Sequence, residues 1–204
     1  PVEDAQRTLG VRLAPDGNNK AQFEYMREKV QDWADKIRTG HLPRHLTWQS
    51  LVTTILKSIQ YPLPATTLSK EQCKKIMAPI LRDGLSCSGI VRTIPRALVY
   101  GPKKYQGIGM SELYTFQQVD HIERILKFCK AKDHLTGQLI RHTVEVTKLE
   151  IGSNGSVFGH NYAQIGHLAT KTWATHTWAF LSENGMRIED DVTDFEKGRT
   201  NDTL

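Results

Sequence analysis

Phe23, Met26, Val30, Trp33 and Ile37 follow one another at steps of three and four, and that rhythm constrains the chain more than any other feature. Side chains so spaced share one stripe of an α-helix, while Glu24, Glu28, Lys29 and Lys36 fall on its other faces, so the segment predicts a helix that must bury one side. Gly40 predicts its end, because glycine tolerates the backbone turn that follows a helix. Beyond Pro43, the residues Trp48, Leu51, Val52, Ile55, Leu56 and Ile59 make a second and wider stripe. That width predicts deeper packing, with Trp33 and Trp48 both in the core. Tyr61, Pro62, Leu63 and Pro64 close the segment. Ser69 with Gln72 three positions on reads as a capping box, and it opens a third helix through Ile76, Met77, Ile80 and Leu81. Pro79 inside that pattern predicts a kink or an early end.

Two further helices are expected. One runs from Ser111 to about Lys130 on Leu113, Phe116, Ile122, Ile125, Leu126 and Cys129, and the other runs from Thr136 to Glu150 and stops at Gly152. Residues 83–110 hold Gly84, Gly89, Gly101, Gly107 and Gly109 with Pro95 and Pro102, so they predict a loop with a short extended piece at Ile94 to Tyr100. Ahead of the helices, Leu9, Val11 and Leu13 alternate with polar neighbours and predict one short strand over Arg7 to Leu13, closed by a turn at Pro15 to Asn19. The apolar rhythm breaks over 152–172, which predicts a linker. A short last helix from Trp173 to Leu181, capped by Asn184 and Gly185, has no evident packing partner, and the acidic stretch Glu189 to Glu196 trails from it. The expected fold is mainly α: a helical bundle with a short N-terminal β-strand and a basic Gly/Pro-rich loop, organised as 1–17, 18–151, 152–172 and 173–204.

At 204 residues a folded chain hides roughly 70% of the surface its unfolded form exposes, so a core forms without staples. The three cysteines, Cys73, Cys87 and Cys129, match neither a secreted disulfide framework nor a zinc pattern, which suggests a reducing intracellular compartment, nucleus or cytoplasm. No apolar run approaches the roughly 20 residues that span a bilayer, so no membrane partner is expected. The chain begins with Pro1 rather than Met and reads as a piece of something longer.

Charge is more informative than size. The net charge is +5, yet residues 1–150 hold 23 basic and 15 acidic side chains while 151–204 hold 4 and 7. Between Lys36 and Ser111 there are 12 basic residues and two acids, Glu71 and Asp83. A block so poor in carboxylates cannot neutralise itself, and its field reaches about a Debye length, ~8 Å at physiological salt. Phosphate is the natural partner. Arg38, His41, Arg44, His45 and Lys57 mix cations with planar rings, suited to phosphate contact together with stacking, and Arg92, Arg96, Lys103, Lys104 and Tyr105 repeat that mixture in the glycine-rich loop.

Other chemistries lack their residues. Gly107 and Gly109 precede a helix, but Glu112 stands where a third glycine of a dinucleotide loop belongs. His41 and His45 are separated by Pro43, which breaks the helix that would aim both at one zinc. The acidic run Glu189, Asp190, Asp191 and Asp194 reads as solvated tail before it reads as a Mg²⁺ site.

The stretch Arg7-Thr-Leu-Gly-Val-Arg-Leu-Ala-Pro-Asp-Gly-Asn18, Trp48 in Leu46-Thr-Trp-Gln-Ser-Leu51, the turn Tyr61-Pro-Leu-Pro-Ala-Thr-Thr67, Arg92-Thr-Ile-Pro-Arg96, Val99-Tyr-Gly-Pro102 and Tyr105-Gln-Gly-Ile-Gly109 occur in this order. Together they resemble the end of the palm, the thumb and the connector of reverse transcriptases of non-LTR, LINE-like retrotransposons. The resemblance implies a helical thumb that clamps template-primer duplex of RNA and DNA, with Leu9 and Gly10 in a primer-grip strand and with fingers and most of the palm preceding Pro1. It also implies Mg²⁺ held by palm carboxylates in the parent enzyme. The required aromatic, any residue, Asp-Asp does not occur here, since Asp190-Asp191 follows Ile188-Glu189; no catalytic residue, metal ligand or cofactor is expected in this fragment. The rival expectation is a helical protein-protein interaction module with a basic surface.

Overall fold

The structure, a computed structural model, describes residues 4–128 and 134–188. Cys129, Lys130 and the acidic stretch Glu189 to Glu196 lie outside the described residues. The chain is mainly helical with a short two-stranded sheet at its N-terminus. It divides into two units, Pro1–Gln117 and Gln118–Leu204, so the division falls well before the expected linker at 152–172. Among the described residues no helix is long and apolar enough to cross a membrane.

In the first unit, the single strand expected over Arg7 to Leu13 is a hairpin. β1 (Gln6–Thr8) pairs antiparallel with β2 (Val11–Leu13), Thr8 facing Val11. Leu9 and Gly10 between them have positive φ, 49° and 86°, as the two central residues of a type I′ turn must. Leu9 therefore leaves the strand face and stands 87% exposed at the tip. The hairpin is tied down twice: the Tyr61 hydroxyl donates to the Leu9 carbonyl at 2.8 Å, and Arg12 N–H donates to Gln22 Oε1 at 2.7 Å.

Helix α1 (Lys20–Thr39) buries Met26, Val30, Trp33 and Ile37 of the expected stripe together with Ala34, while Phe23 is half-buried, and Gly40 N–H closes its end on the Lys36 carbonyl. The second stripe forms α2 (Arg44–Ser50), one wide π-helical turn (Leu51–Ile55) and α3 (Leu56–Gln60). Leu51, Ile55, Leu56 and Ile59 are buried. Trp33 sits in the core and its indole N–H donates to Ser50 Oγ at 3.1 Å. Trp48, expected beside it, is only half-buried.

Helix α4 (Lys70–Pro79) opens on the reciprocal Ser69 and Gln72 capping box. Pro79 lacks an N–H and loosens the ladder without stopping it, because a wide turn (Ile80–Gly84) and α5 (Leu85–Cys87) continue the path. The extended piece expected at Ile94 to Tyr100 is instead a helical turn, α6 (Arg96–Tyr100), started by Pro95, whose fixed φ suits a helix entry. A 3₁₀ turn follows at Lys103–Tyr105. Backbone bonds from Ile108 to Leu98 (2.8 Å), Gly109 to Gly101 (2.8 Å) and Met110 to Val99 (3.0 Å) fold this basic loop back on itself, with Val99 and Met110 buried beneath it.

Helix α7 (Leu113–Phe128) contains the point of division. The second unit adds α8 (Leu135–Glu150), a turn at Val157–Gly159, α9 (Tyr162–Ile165) and α10 (Trp173–Glu183). Its core joins Ile125, Ile140, Val144, Val157, Phe158, Trp178, Leu181 and Ile188. Residues 152–172 are thus packed structure rather than a linker. Their helical turns are too short to show periodicity, yet Val157 and Phe158 are core, and Glu150 accepts bonds from the Thr170 N–H and hydroxyl. The last helix also has its partners at hand: Trp178 meets the Tyr162 ring edge-on at 5.0 Å and donates to the His160 carbonyl. Leu126, expected on the buried stripe of its helix, is exposed.

Candidate functional site

The cations singled out from the sequence all belong to the first unit, where several carboxylates pair with cations close by in the chain. Asp32 pairs with Lys36 at 2.7 Å, Asp35 with Arg38 at 3.4 Å, Glu71 with Lys74 at 2.8 Å and Asp83 with Arg82 at 2.7 Å. The Lys74 ammonium holds the Glu71 carboxyl below its ordinary range by hydrogen bond and charge. Among the described residues, no carboxylate pairs with Arg44, Lys57, Arg92, Arg96, Lys103 or Lys104, and all six are exposed.

The scaffold places them differently. Arg38 stands in the last turn of α1, shared with Asp35. His41 follows that helix with φ of 49°, and Pro43 starts α2, so His41 and His45 are exposed on separate elements. The Arg44 stem crosses the turn at Gly89, where an added Cβ would stand 2.8 Å from Arg44 Cδ. Lys104 lies over the exposed Tyr105 ring at 5.5 Å, a weak cation-π pair. Arg96 bears on Tyr100, whose phenol burial and Glu112 push upward while the guanidinium pulls it down.

Two of the nine candidates line the same cleft. Lys57 on α3 and Lys103 from the loop flank one cleft of about 140 Å³ whose walls include Trp48, Val52, Gln60 and Met110. Lys103 is laid along Gly109, where a Cβ would come within 2.9 Å of its Cγ. Only a residue without a side chain lets that stem lie so close. The sequence points to Trp48 as a core residue rather than a cleft wall and gives Gln60 no role. Trp48, Val52, Leu56 and Gln60 do recur at steps of four along one helical face, but the second wall of the cleft comes from a loop some fifty residues away, which no periodicity reports.

Leu9 and Gly10 form the exposed hairpin tip, held from below by Tyr61. Cys73 is buried, and burial reinforced by Glu112 pushes its thiol up to about 12, which removes it as a nucleophile at neutral pH. Compared with protein-family models, with curated proteins and with solved structures, the chain gives no significant match.

Proposed function

We propose that the first unit binds nucleic acid through its phosphates, as the thumb-like part of a reverse transcriptase of the non-LTR kind. It grips template-primer duplex and does not itself polymerise. The observation that carries this reading is the set of six exposed cations that, among the described residues, have no carboxylate partner, while Asp32, Asp35, Glu71 and Asp83 pair with other cations. Such a surface gains most by displacing the counterions of a polyanion. The hairpin tip at Leu9 and Gly10 supports a primer-grip role, since an exposed leucine held at positive φ is a backbone cost accepted at the surface. Mg²⁺ would be held by palm carboxylates that this sequence lacks. The test is affinity for random duplex and RNA·DNA hybrid against salt. Six neutralised phosphates give a log-log slope of about −5 on duplex DNA, and a flat titration counts against the proposal.

A second reading, a helical protein-interaction module, is favoured by α8. Its exposed side carries Leu135, Leu139, Val146 and Leu149 with His142 between them, steps of four and three opposite the buried Ile140 and Val144. That spacing fits another helix. Light scattering across concentration tests pairing of this face with its own copy: self-association abolished by Leu139→Glu supports it, and a chain that stays monomeric at every concentration counts against it.

A further inference from the structure

The Lys57 and Lys103 cleft has more chemistry than phosphate contact requires. One wall is Trp48, Val52 and Gln60, the other Met110 and the loop, and the two lysines stand exposed at the rim. Gln60 is 7% exposed, and among the described residues its amide has no hydrogen-bond partner, although it is not sealed from solvent. The Trp48 indole N–H is likewise unpaired among the described residues, in contrast to Trp33. An aromatic wall, a buried amide offering both a donor and an acceptor, and two rim cations form a recognition set for a planar, polar-edged ring that carries a phosphate.

We propose that this cleft holds one unpaired nucleotide of a bound strand, its base against Trp48 and within reach of the Gln60 amide, its phosphate at the rim between Lys57 and Lys103. The inference rests on the nucleic-acid reading above. Size selects the ligand: at about 140 Å³ the cleft is well below the roughly 300 Å³ at which whole small-molecule pockets begin. A duplex cannot enter, whereas a single base taken out of the stack can, with its sugar and phosphate remaining outside. An acidic peptide would satisfy the lysines and leave the aromatic wall without a planar partner.

The experiment uses the full chain and two labelled probes, a blunt duplex and the same duplex with a short single-stranded overhang. The wild-type chain should bind the overhang probe roughly fivefold tighter or more, the gain of one base stacked on an aromatic side chain. Lys57→Ala with Lys103→Ala, two exposed positions, and separately Trp48→Leu should each bring the ratio of the two affinities to one. Salt-dependent binding with equal affinity for both probes overturns the cleft and leaves the phosphate surface standing. So does a preference that survives both variants. Absence of binding to either probe overturns both readings. Erasure of the preference by a free nucleoside monophosphate at the overhang strand's own concentration overturns the assignment to a strand.

Discussion

Gln117 and Leu68 close a two-bond ring: the Leu68 N–H donates to Gln117 Oε1 and Gln117 Nε2 donates to the Leu68 carbonyl, each at 3.0 Å. The Thr66 hydroxyl adds a third bond to the same oxygen at 3.2 Å, and all three residues are buried. A side-chain amide here does what a neighbouring strand would do for an isolated peptide group.

Gln117→Leu orphans a buried N–H and a buried carbonyl together. Leaving a buried polar group unpaired costs about 1–3 kcal/mol, so the variant should lose roughly 2–4 kcal/mol in urea unfolding. Gln117→Glu, which turns a second acceptor toward the Leu68 carbonyl, should fare no better.

Tyr61→Phe removes only the bond to the Leu9 carbonyl. The loss at an exposed site is about 0.5–1.5 kcal/mol and should be local. Amide exchange is expected to quicken over β1, β2 and their turn while protection in α1 persists; a uniform change would contradict the pinning role.

Arg38 and Arg96 are both exposed, but only Arg38 has a carboxylate beside it, Asp35. Under the nucleic-acid reading, Arg96→Ala should lower the salt slope by about one. Arg38→Ala should lower it by less, because part of that charge is already compensated. Equal effects would mean that local pairing does not matter.

His176 is lowered from its ordinary range, first by burial and then by the charge of Lys171. A depressed folded value means that the neutral ring is favoured in the fold, so this stability is present above the unfolded value of about 6.5 and is lost as pH falls below it. Thermal unfolding from pH 8 to pH 5 should show a steeper decline for the wild-type chain than for His176→Gln.

Cys73 moves in the opposite sense. With its thiol raised to about 12, native protein at pH 8 should leave Cys73 unalkylated, and urea should expose it. Its contribution to stability is present below the unfolded value of about 8.5 and falls as pH rises from there toward 12.

Long periodic segments were legible without coordinates. The stripe from Met26 to Ile37, the Ser69 capping box and the glycine at the end of α1 depend on residues within a few positions of one another, and local spacing carries that information. So does the surplus of cations between Lys36 and Ser111, because charge can be counted along a chain. Elements of one turn could not be read. The core role of Val157 and Phe158 and the helical turn at Arg96–Tyr100 are fixed by what packs against them, not by a repeat of their own. The same holds for the hairpin at Leu9 and Gly10, whose alternating pattern suits one strand until a tight turn intervenes. Sequence alone thus determined which residues are apolar, which are charged and where helices start. Only the tertiary structure decided that Lys57 and Trp48 line one cleft with Lys103, because that depends on distances between segments far apart in the chain.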